Sequence, residues 1–390
     1  MRACMVAYTF YEIDNRVMRY AEALAARGDQ VDVFALRQKG YAKTETINGV
    51  RLYRIQWREI NERGKLTYLY RILRFLILSS CILAKEHFRH PYDLIHVHSV
   101  PDFEVFATLI PKLRGAKVIL DIHDIVPEFY ASKFGASKES YAFRILKLME
   151  RWSVAFSDYV IIANHLWEKV LTARSVAATK CTTYLNYPDS NIFNSNLRTR
   201  NTDGRIIMMY PGSLNWHQGL DIAVRAFDLI KDQAPEAEFH IYGSGSHKEQ
   251  LVQLIKERAL QERIKLMDFL PICEIAQIMA NADIAIVPKR DDSFGGEAFS
   301  TKIFEFMALG IPVIVAKTRI DQYYFNDTLV KFFQAGNDKS LADAMLLMIR
   351  NVGMQNKLAA NALTYIAQQS WDIKRLDYFN LVDSLVQVKS

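Results

Sequence analysis

The sequence predicts an α/β protein made of two doubly wound domains. Three observations predict it. Short apolar runs of strand length alternate with segments of helical period almost from the first residue. The alternation stops at a polar stretch rich in Asn and Ser, residues 186–204, and then restarts. The length, 390 residues, suits two domains of ordinary size.

In the first half, residues 3–9 form an apolar run and read as the first strand. Residues 14–27 carry helical periodicity through Val17, Tyr20, Ala21, Leu24 and Ala25, and Gly28 ends the helix. Residues 30–36 read as the next strand. Asn48-Gly49 between two strand-like runs in residues 40–56 signals a hairpin. Further buried strands are expected at 93–98, 117–121 and 159–163, with helices at 101–114, 137–156 and 164–175. In the second half, strands are expected at 206–210, 238–242, 264–267 and 284–287, with helices at 220–231 and 273–281. The chain after Gly336 reads as mostly helical, ending in a long helix at 371–386. The domain limits that follow are 1–185, a linker at 186–204, 205–370, and a terminal segment at 371–390.

Half of the residues are hydrophobic and about a quarter charged, as in soluble globular proteins. The net charge of +6 suits anionic ligands or an anionic membrane surface and is too mild to argue for nucleic acid. Cys4, Cys81, Cys181 and Cys273 are scattered and form no metal-binding spacing, which points to free thiols in a reducing compartment. The N-terminus lacks a signal-peptide core, and no apolar run is read as long enough to span a bilayer.

The densest chemistry lies in residues 288–315, PKRDDSFGGEAFSTKIFEFMALGIPVIV. It reads as a strand end, a glycine-bearing loop, a short helix and a buried strand. Ser300 is placed as the helix N-cap. The amides of Ala298, Phe299, Ser300 and Thr301 are expected to point out of the helix N-terminus, where the dipole favours an anion. Lys302 adds a cation at that end. Gly295 and Gly296 would let the backbone approach a ligand. Glu297 and Glu305 flank this anion seat and can accept hydroxyl hydrogen bonds. A nucleotide sugar needs such a layout: a diphosphate in the middle, a ribose on one side and a sugar on the other.

Glu297-x7-Glu305 followed by Met307-Ala308-Leu309-Gly310-Ile311-Pro312-Val313-Ile314 resembles the C-terminal motif of retaining GT-B glycosyltransferases, glycosyltransferase family 4. The resemblance implies a GT-B fold, with two Rossmann-like domains facing a central cleft. It implies that Glu297 meets the donor sugar, that Glu305 holds the ribose hydroxyls, and that the amides between them bind the diphosphate. It also implies a front-face mechanism without a protein nucleophile or a metal, in which the leaving phosphate takes the acceptor proton. The loop PGSLNWHQG, residues 211–219, departs from the pattern. Ser213 stands where the family has an arginine and Gln218 where it has a lysine. Lys302, Arg290 or Lys289 would then have to grip the diphosphate, with Gly212 admitting backbone amides. Gly243-Ser244-Gly245 is either a phosphate or base loop, bordering the nucleotide base in the family, or a tight turn.

In the first half, Asp121-Ile122-His123-Asp124 follows a strand and so lies at a carboxyl end, where open α/β sheets bind ligands. The resemblance places His123 at the donor sugar or the acceptor, with Asp124 beside it on the acceptor side. His96 and His98 share one strand face. No third ligand is evident from spacing, so a metal site is not expected; packing is the reading for His96 and the acceptor side for His98. The loop at residues 8–16 lacks the Gly-Gly pair of many family members. Arg16 there either contacts a phosphate or the acceptor, or lies on a solvated face. Residues 63–90, basic and apolar together, form either an amphipathic helix touching anionic lipid or a sheet-packing helix with a charged outer end.

The resulting expectation is a metal-independent, retaining glycosyltransferase with no cofactor beyond its nucleotide-diphosphate-sugar substrate. It would act on a hydroxyl acceptor, lipid-linked or not, in surface polysaccharide or glycolipid synthesis. Its place would be the cytoplasm, peripheral at the inner membrane face, with no nucleic-acid partner. The alternatives are a nucleotide-sugar 2-epimerase and a non-catalytic sugar-binding subunit.

Overall fold

The computed structural model describes residues 1–58, 65–134, 137, 139–199, 203–292 and 294–387. The chain divides into two units, Met1–Asn186 with Arg375–Ser390, and Tyr187–Lys374. Residues 187–199 are therefore not a free linker. Tyr187 and Phe193 are buried, and Arg198 donates to the Gly310 carbonyl at 3.1 Å, which ties the stretch into the second unit. The polar composition that suggested a linker hides these anchoring residues. Residues 200–202 of the expected linker, and residues 63 and 64 of the basic segment, lie outside the described residues.

The first unit holds an eight-stranded sheet: β1 (Arg2–Ala7), β2 (Gln30–Arg37), β3 (Thr44–Ile47), β4 (Val50–Trp57), β5 (Leu94–His98), β6 (Lys117–Ile122), β7 (Tyr159–Ile162) and β8 (Cys181–Thr183). Their order is β3-β4-β2-β1-β5-β6-β7-β8. All neighbours pair in parallel except the β3–β4 hairpin. Asn48 and Gly49 turn that hairpin with φ of 49° and 80°, the conformation Asn-Gly favours. The strand order reverses between β1 and β5, so the carboxyl ends of β1, β5 and β6 form the ligand-binding edge expected of an open sheet.

The second unit holds β9 (Ile206–Pro211), β10 (Ala237–Tyr242), β11 (Ile264–Met267), β12 (Ile284–Val287), β13 (Val313–Ala316) and β14 (Lys331–Phe333), in the order β11-β10-β9-β12-β13-β14. Its order reverses between β9 and β12. The loops after those two strands, at Gly212 and at Lys289, therefore flank the switch point. One apolar core fills this unit, built on Phe227, Phe239, Ile286, Ile314 and Met345.

Several elements differ from the sequence expectation. Residues 101–114 form a 3-10 stretch, Asp102–Thr108, and one short helix, Leu109–Leu113. Asp102 and Glu104 are both buried there, so the segment has no polar face to give an α-helical pattern. The three-residue strands β8 and β14 are too short to show alternation. The helices Val126–Phe134 and Lys248–Glu257 fill stretches without an expected element.

The largest correction concerns apolar length. Thr67–Arg89 is long and apolar enough, by length and composition alone, to cross a membrane. In the fold this helix, Lys65–Arg89, buries Ile72, Phe75 and Leu83. It packs on β4, Asp102–Thr108 and Leu109–Leu113. Its other face leaves Tyr70, Leu73, Ile77 and Phe88 exposed. The four cysteines are free, as spacing suggested.

Candidate active site

In the second unit the helix Thr301–Ala308 begins behind Ser300, whose backbone is extended as an N-cap requires. The expected capping bond is absent: the Ser300 side chain accepts no amide hydrogen and instead accepts from Lys302 Nζ at 3.3 Å. The Ala298 amide is also engaged, donating to the Phe294 carbonyl at 2.8 Å. Among the described residues the amides of Phe299, Ser300, Thr301 and Lys302 have no partner. The expected row of free donors is therefore shifted by one residue. A row of unpaired amides at a helix start suits an anion. The Phe299 ring packs instead against Phe304, Tyr324 and Phe325.

Lys302 is the cation the site is built around. It lies over the Tyr210 ring at 4.9 Å. Burial pulls its ammonium down to about 8, with Lys289 adding to the effect and Glu305 opposing it. The other two candidate cations are engaged elsewhere. Lys289 is buried, 2.9 Å from Asp321 and 2.7 Å from the Ala298 carbonyl. Arg290 Nη2 donates to both carboxylate oxygens of Asp221, at 2.8 and 2.7 Å. Both hold the loop rather than reach for a ligand.

Gly212 is required for a reason the sequence did not reveal. Its φ is +135°, and an added Cβ would stand 3.0 Å from Lys302 Cε. Its amide does not face a ligand; it donates to the Tyr242 carbonyl at 2.8 Å. Tyr210, on which no sequence reading settled, organises the rest. Its hydroxyl, with one hydrogen to give, lies 2.9 Å from the Ser213 carbonyl oxygen and 3.0 Å from Gln218 Oε1 and shares that hydrogen between them. The two positions that lack the family's cations are thus tied by one buried phenol.

Gly243 and Gly245 also serve packing. A Cβ on Gly243 would meet the Gly212 carbonyl oxygen at 1.8 Å, and one on Gly245 would meet Leu214 backbone at 2.5 Å. The two loops are zipped by Leu214 N–H to the Ser244 carbonyl. Gly295 and Gly296 are likewise pressed against Arg290, Asp291 and Asp292, where a Cβ would fall at 2.8 Å or less. Close approach of backbone to backbone, not to ligand, explains all four.

The two glutamates stand differently. Glu297 pairs with Arg319 at 2.6 Å, and Arg319 is mostly exposed. An exposed pair of this kind is weak and easily exchanged. Glu305 sits one turn into the helix, half-buried.

In the first unit, a pocket of about 200 Å³ opens at the carboxyl edge, lined by Tyr8, Thr9, Asp14, His98, His123 and Asp124 among others. Beneath it lies the fully buried Asp121. Arg16 grips Asp121 with Nε and Nη2, both at 2.7 Å, and also donates to the Tyr184 carbonyl at 2.8 Å. Arg16 is buried, which overturns the solvated-face reading, and its guanidinium is engaged with protein rather than with a phosphate. Burial alone would raise the Asp121 carboxyl; Arg16 and His123, with hydrogen bonds from His123 and His98, hold it well below the usual range.

His98 Nδ1 lies 3.1 Å from His123 Nε2 and 3.2 Å from Asp121. Burial lowers the His98 pKa, against the pull of Asp121, so its ring is neutral at pH 7. Asp124 is pushed up by burial and pulled down by His123. His123 is the partly exposed member of the cluster, at the pocket wall. His96, packed in the core as expected, bonds Tyr378 Oη at 3.0 Å and stacks on His98.

His96, His98 and Asp121 lie close enough to hold a metal ion. Asp121 is the third ligand that sequence spacing did not reveal. Both of its oxygens are already held by the Arg16 guanidinium, so the buried charge is balanced without an ion. Asp121 was visible only as the first residue of a strand-end motif; a buried Arg partner 105 positions away leaves no local signal.

Comparison with known proteins gives the class first. The fold is shared across the whole chain with sucrose-phosphate synthase from Thermosynechococcus elongatus, at TM-score 0.81 and 17% identity, covering 100% of both chains. Anabaena Alr3699/HepE in complex with UDP-glucose matches at TM-score 0.72 and 14% identity, covering 98% of this chain and 99% of that one. These neighbours and the two sheets, parallel but for the β3–β4 hairpin, make this a GT-B architecture. Residues 13–186 match the glycosyl transferase 4-like domain, and residues 194–364 match glycosyl transferases group 1. The chain is a glycosyltransferase composed of these two domains. The O-antigen biosynthesis glycosyltransferase WclY of Escherichia coli is 26% identical over 278 residues, 68% of this chain and 72% of that protein. The amylovoran biosynthesis glycosyltransferase AmsK of Erwinia amylovora is 28% identical over 161 residues, 41% and 39% of the two chains.

Proposed function

We propose that the protein is a retaining transferase of family 4 that moves a sugar from a UDP-sugar to a hydroxyl acceptor in bacterial surface polysaccharide assembly. The observation that carries this reading is Lys302, laid across Gly212 beside four unpartnered amides, with Glu305 one turn further along the helix. A diphosphate fits this seat, and the ribose hydroxyls fall to Glu305. As the glycosidic bond breaks, charge grows on the diphosphate, and preorganised donors stabilise it. Glu297 exchanges Arg319 for a sugar hydroxyl. His123, steered by Asp121 and His98, meets a sugar or acceptor hydroxyl, with Asp124 on the acceptor side. Lys302 and the amides stand in for the family's missing pair of cations.

The named polysaccharide relatives and the UDP-sugar complex of a fold neighbour support the choice of donor and pathway class. Test this by binding a panel of nucleoside diphosphates to wild type and Glu305→Gln, with the product anomer followed by NMR. UDP binding weakened about tenfold or more in the variant is expected, since a bond to a charged acceptor contributes roughly 1.5–3 kcal/mol. Equal binding in both proteins, or an inverted product, would sink the reading.

A peripheral position at the inner membrane face is part of the proposal. The helix Tyr141–Phe156 exposes Tyr141, Ile145, Leu148 and Trp152, a stripe on one face, beside Arg144, Lys147 and Arg151. Leu109, Ile110 and Leu113 are exposed too. Asp102–Thr108 packs against both this helix and Lys65–Arg89, so the two helices flank the same segment. Ile145→Glu/Trp152→Glu should abolish co-sedimentation with phosphatidylglycerol vesicles.

A further inference from the structure

A second pocket, of about 390 Å³, lies apart from the histidine pocket in the first unit. It is lined by Arg37, Lys43, Arg54 and Arg74, with Tyr53, Trp57, Thr44 and Ile55. Among the described residues no carboxylate lines it. Arg54 is fully buried and already paired with two carboxylates, Glu12 and Glu45. Arg37, Lys43 and Arg74 make no ion pair among the described residues. Arg37 is half-buried and Lys43 and Arg74 are exposed, so three cations with no carboxylate partner among the described residues line one pocket and give it a positive potential that attracts an anion. The walls are also shaped: Arg37 is stacked 5.7 Å from the Trp57 ring centroid, which fixes its guanidinium.

Position adds a second argument. Arg37 ends β2 and Trp57 ends β4, and both strands run parallel to β1 in register with it or with each other. The pocket therefore opens on the same carboxyl edge as the His98–His123 pocket, displaced along the sheet toward β4. A ligand lying along that edge would place one group at each pocket.

We infer that this pocket is a binding site for a phosphate or diphosphate group, and, given the transferase reading above, that this group belongs to the acceptor. The acceptor class is thus an anionic, phosphate-bearing one whose hydroxyl lies at His123 and whose phosphate lies among Arg37, Lys43 and Arg74. The phosphate can come from a soluble sugar phosphate or from a lipid headgroup.

The test uses the full chain with UDP held at saturation, so that the Lys302 seat is occupied. Inorganic pyrophosphate is titrated by calorimetry into wild type and into R37Q/K43Q/R74Q. Association with phosphatidylglycerol and phosphatidylcholine vesicles is measured for both proteins. The far-ultraviolet circular dichroism spectrum and thermal unfolding of the variant, set beside those of wild type, report whether the mutated unit is folded; should the triple variant not fold, K43Q/R74Q, at two exposed positions, replaces it. Saturable pyrophosphate binding that weakens at least roughly tenfold in the variant supports a phosphate site. Loss confined to phosphatidylglycerol vesicles, with no pyrophosphate binding to either protein, assigns the phosphate to a lipid. Variant and wild type alike in both assays overturns the inference. Failure of wild type to bind UDP would instead strike the transferase reading, and the pyrophosphate comparison would still stand.

Discussion

Replacing Lys302 by methionine keeps the apolar stem over Tyr210 and removes only the ammonium. A charge-assisted contact to phosphate is worth about 1.5–3 kcal/mol, so UDP affinity at pH 7 should fall roughly 10- to 150-fold. The pH dependence is the sharper signature. The free ammonium is drawn down to about 8 by burial, and a bound diphosphate restores it toward its ordinary value near ~10.4. The protonated form binds best, and the pKa is higher in the complex. Affinity is therefore full below pH 8 and falls about tenfold per unit as pH rises above 8 toward the bound value. Calorimetric titration of UDP at pH 7 and pH 9 measures this. Dividing the wild-type constant by that of the variant cancels the titration of the ligand itself. The ratio should shrink about tenfold between the two pH values. A ratio that stays constant would show that Lys302 is not the group that answers the diphosphate.

Other outcomes are fixed by the same structure. Gly243→Ala should destabilise by about 2–4 kcal/mol in urea unfolding, because the new Cβ falls on the Gly212 carbonyl and the backbone is left-handed; an unchanged midpoint would mean the loops slide apart freely. Asp121→Asn leaves Arg16 buried without its counter-charge and should cost about 3–5 kcal/mol at pH 7. Because the Asp121 pKa is depressed in the fold, that contribution is present above the unfolded carboxylate range and fades as pH falls through the folded value. The wild-type advantage should therefore narrow in acid, and an advantage constant down to pH 2 would contradict the pairing. Glu104 is the opposite case: burial pushes its carboxyl up to about 8, against the hydrogen bond from Ser79. Wild-type stability should then decline relative to Glu104→Gln by at most about 1.4 kcal/mol per pH unit between pH 4.5 and 8, and level off above. Parallel stability curves for the two proteins over that range would rule this out.

Much of the fold was legible because parallel strands buried on both faces read as short apolar runs. β2, β9, β10, β11 and β12 all fall within a residue or two of where periodicity put them. The misses have separate causes. Edge strands β8 and β14 pair on one side only and need just three residues, too few to leave a pattern. The segment 187–199 looks polar yet is anchored by Tyr187 and Phe193.

The candidate site divides along the same line. The sequence by itself determined the two doubly wound sheets, the loop-to-helix seat at 298–302 and the two glutamates around it. These are local features, carried by period, by turn residues and by spacing within one helix. Only the tertiary structure decided which cation is available. Lys289, Arg290 and Lys302 look equivalent in the chain, and only packing shows that Asp321 and Asp221 hold the first two. The same holds for Arg16, whose partner Asp121 is remote in sequence, and for Gly212 and Gly243, whose need for a missing side chain comes from a neighbouring loop. Burial and charge pairing arise between distant segments brought together by the core, so no window of sequence contains them.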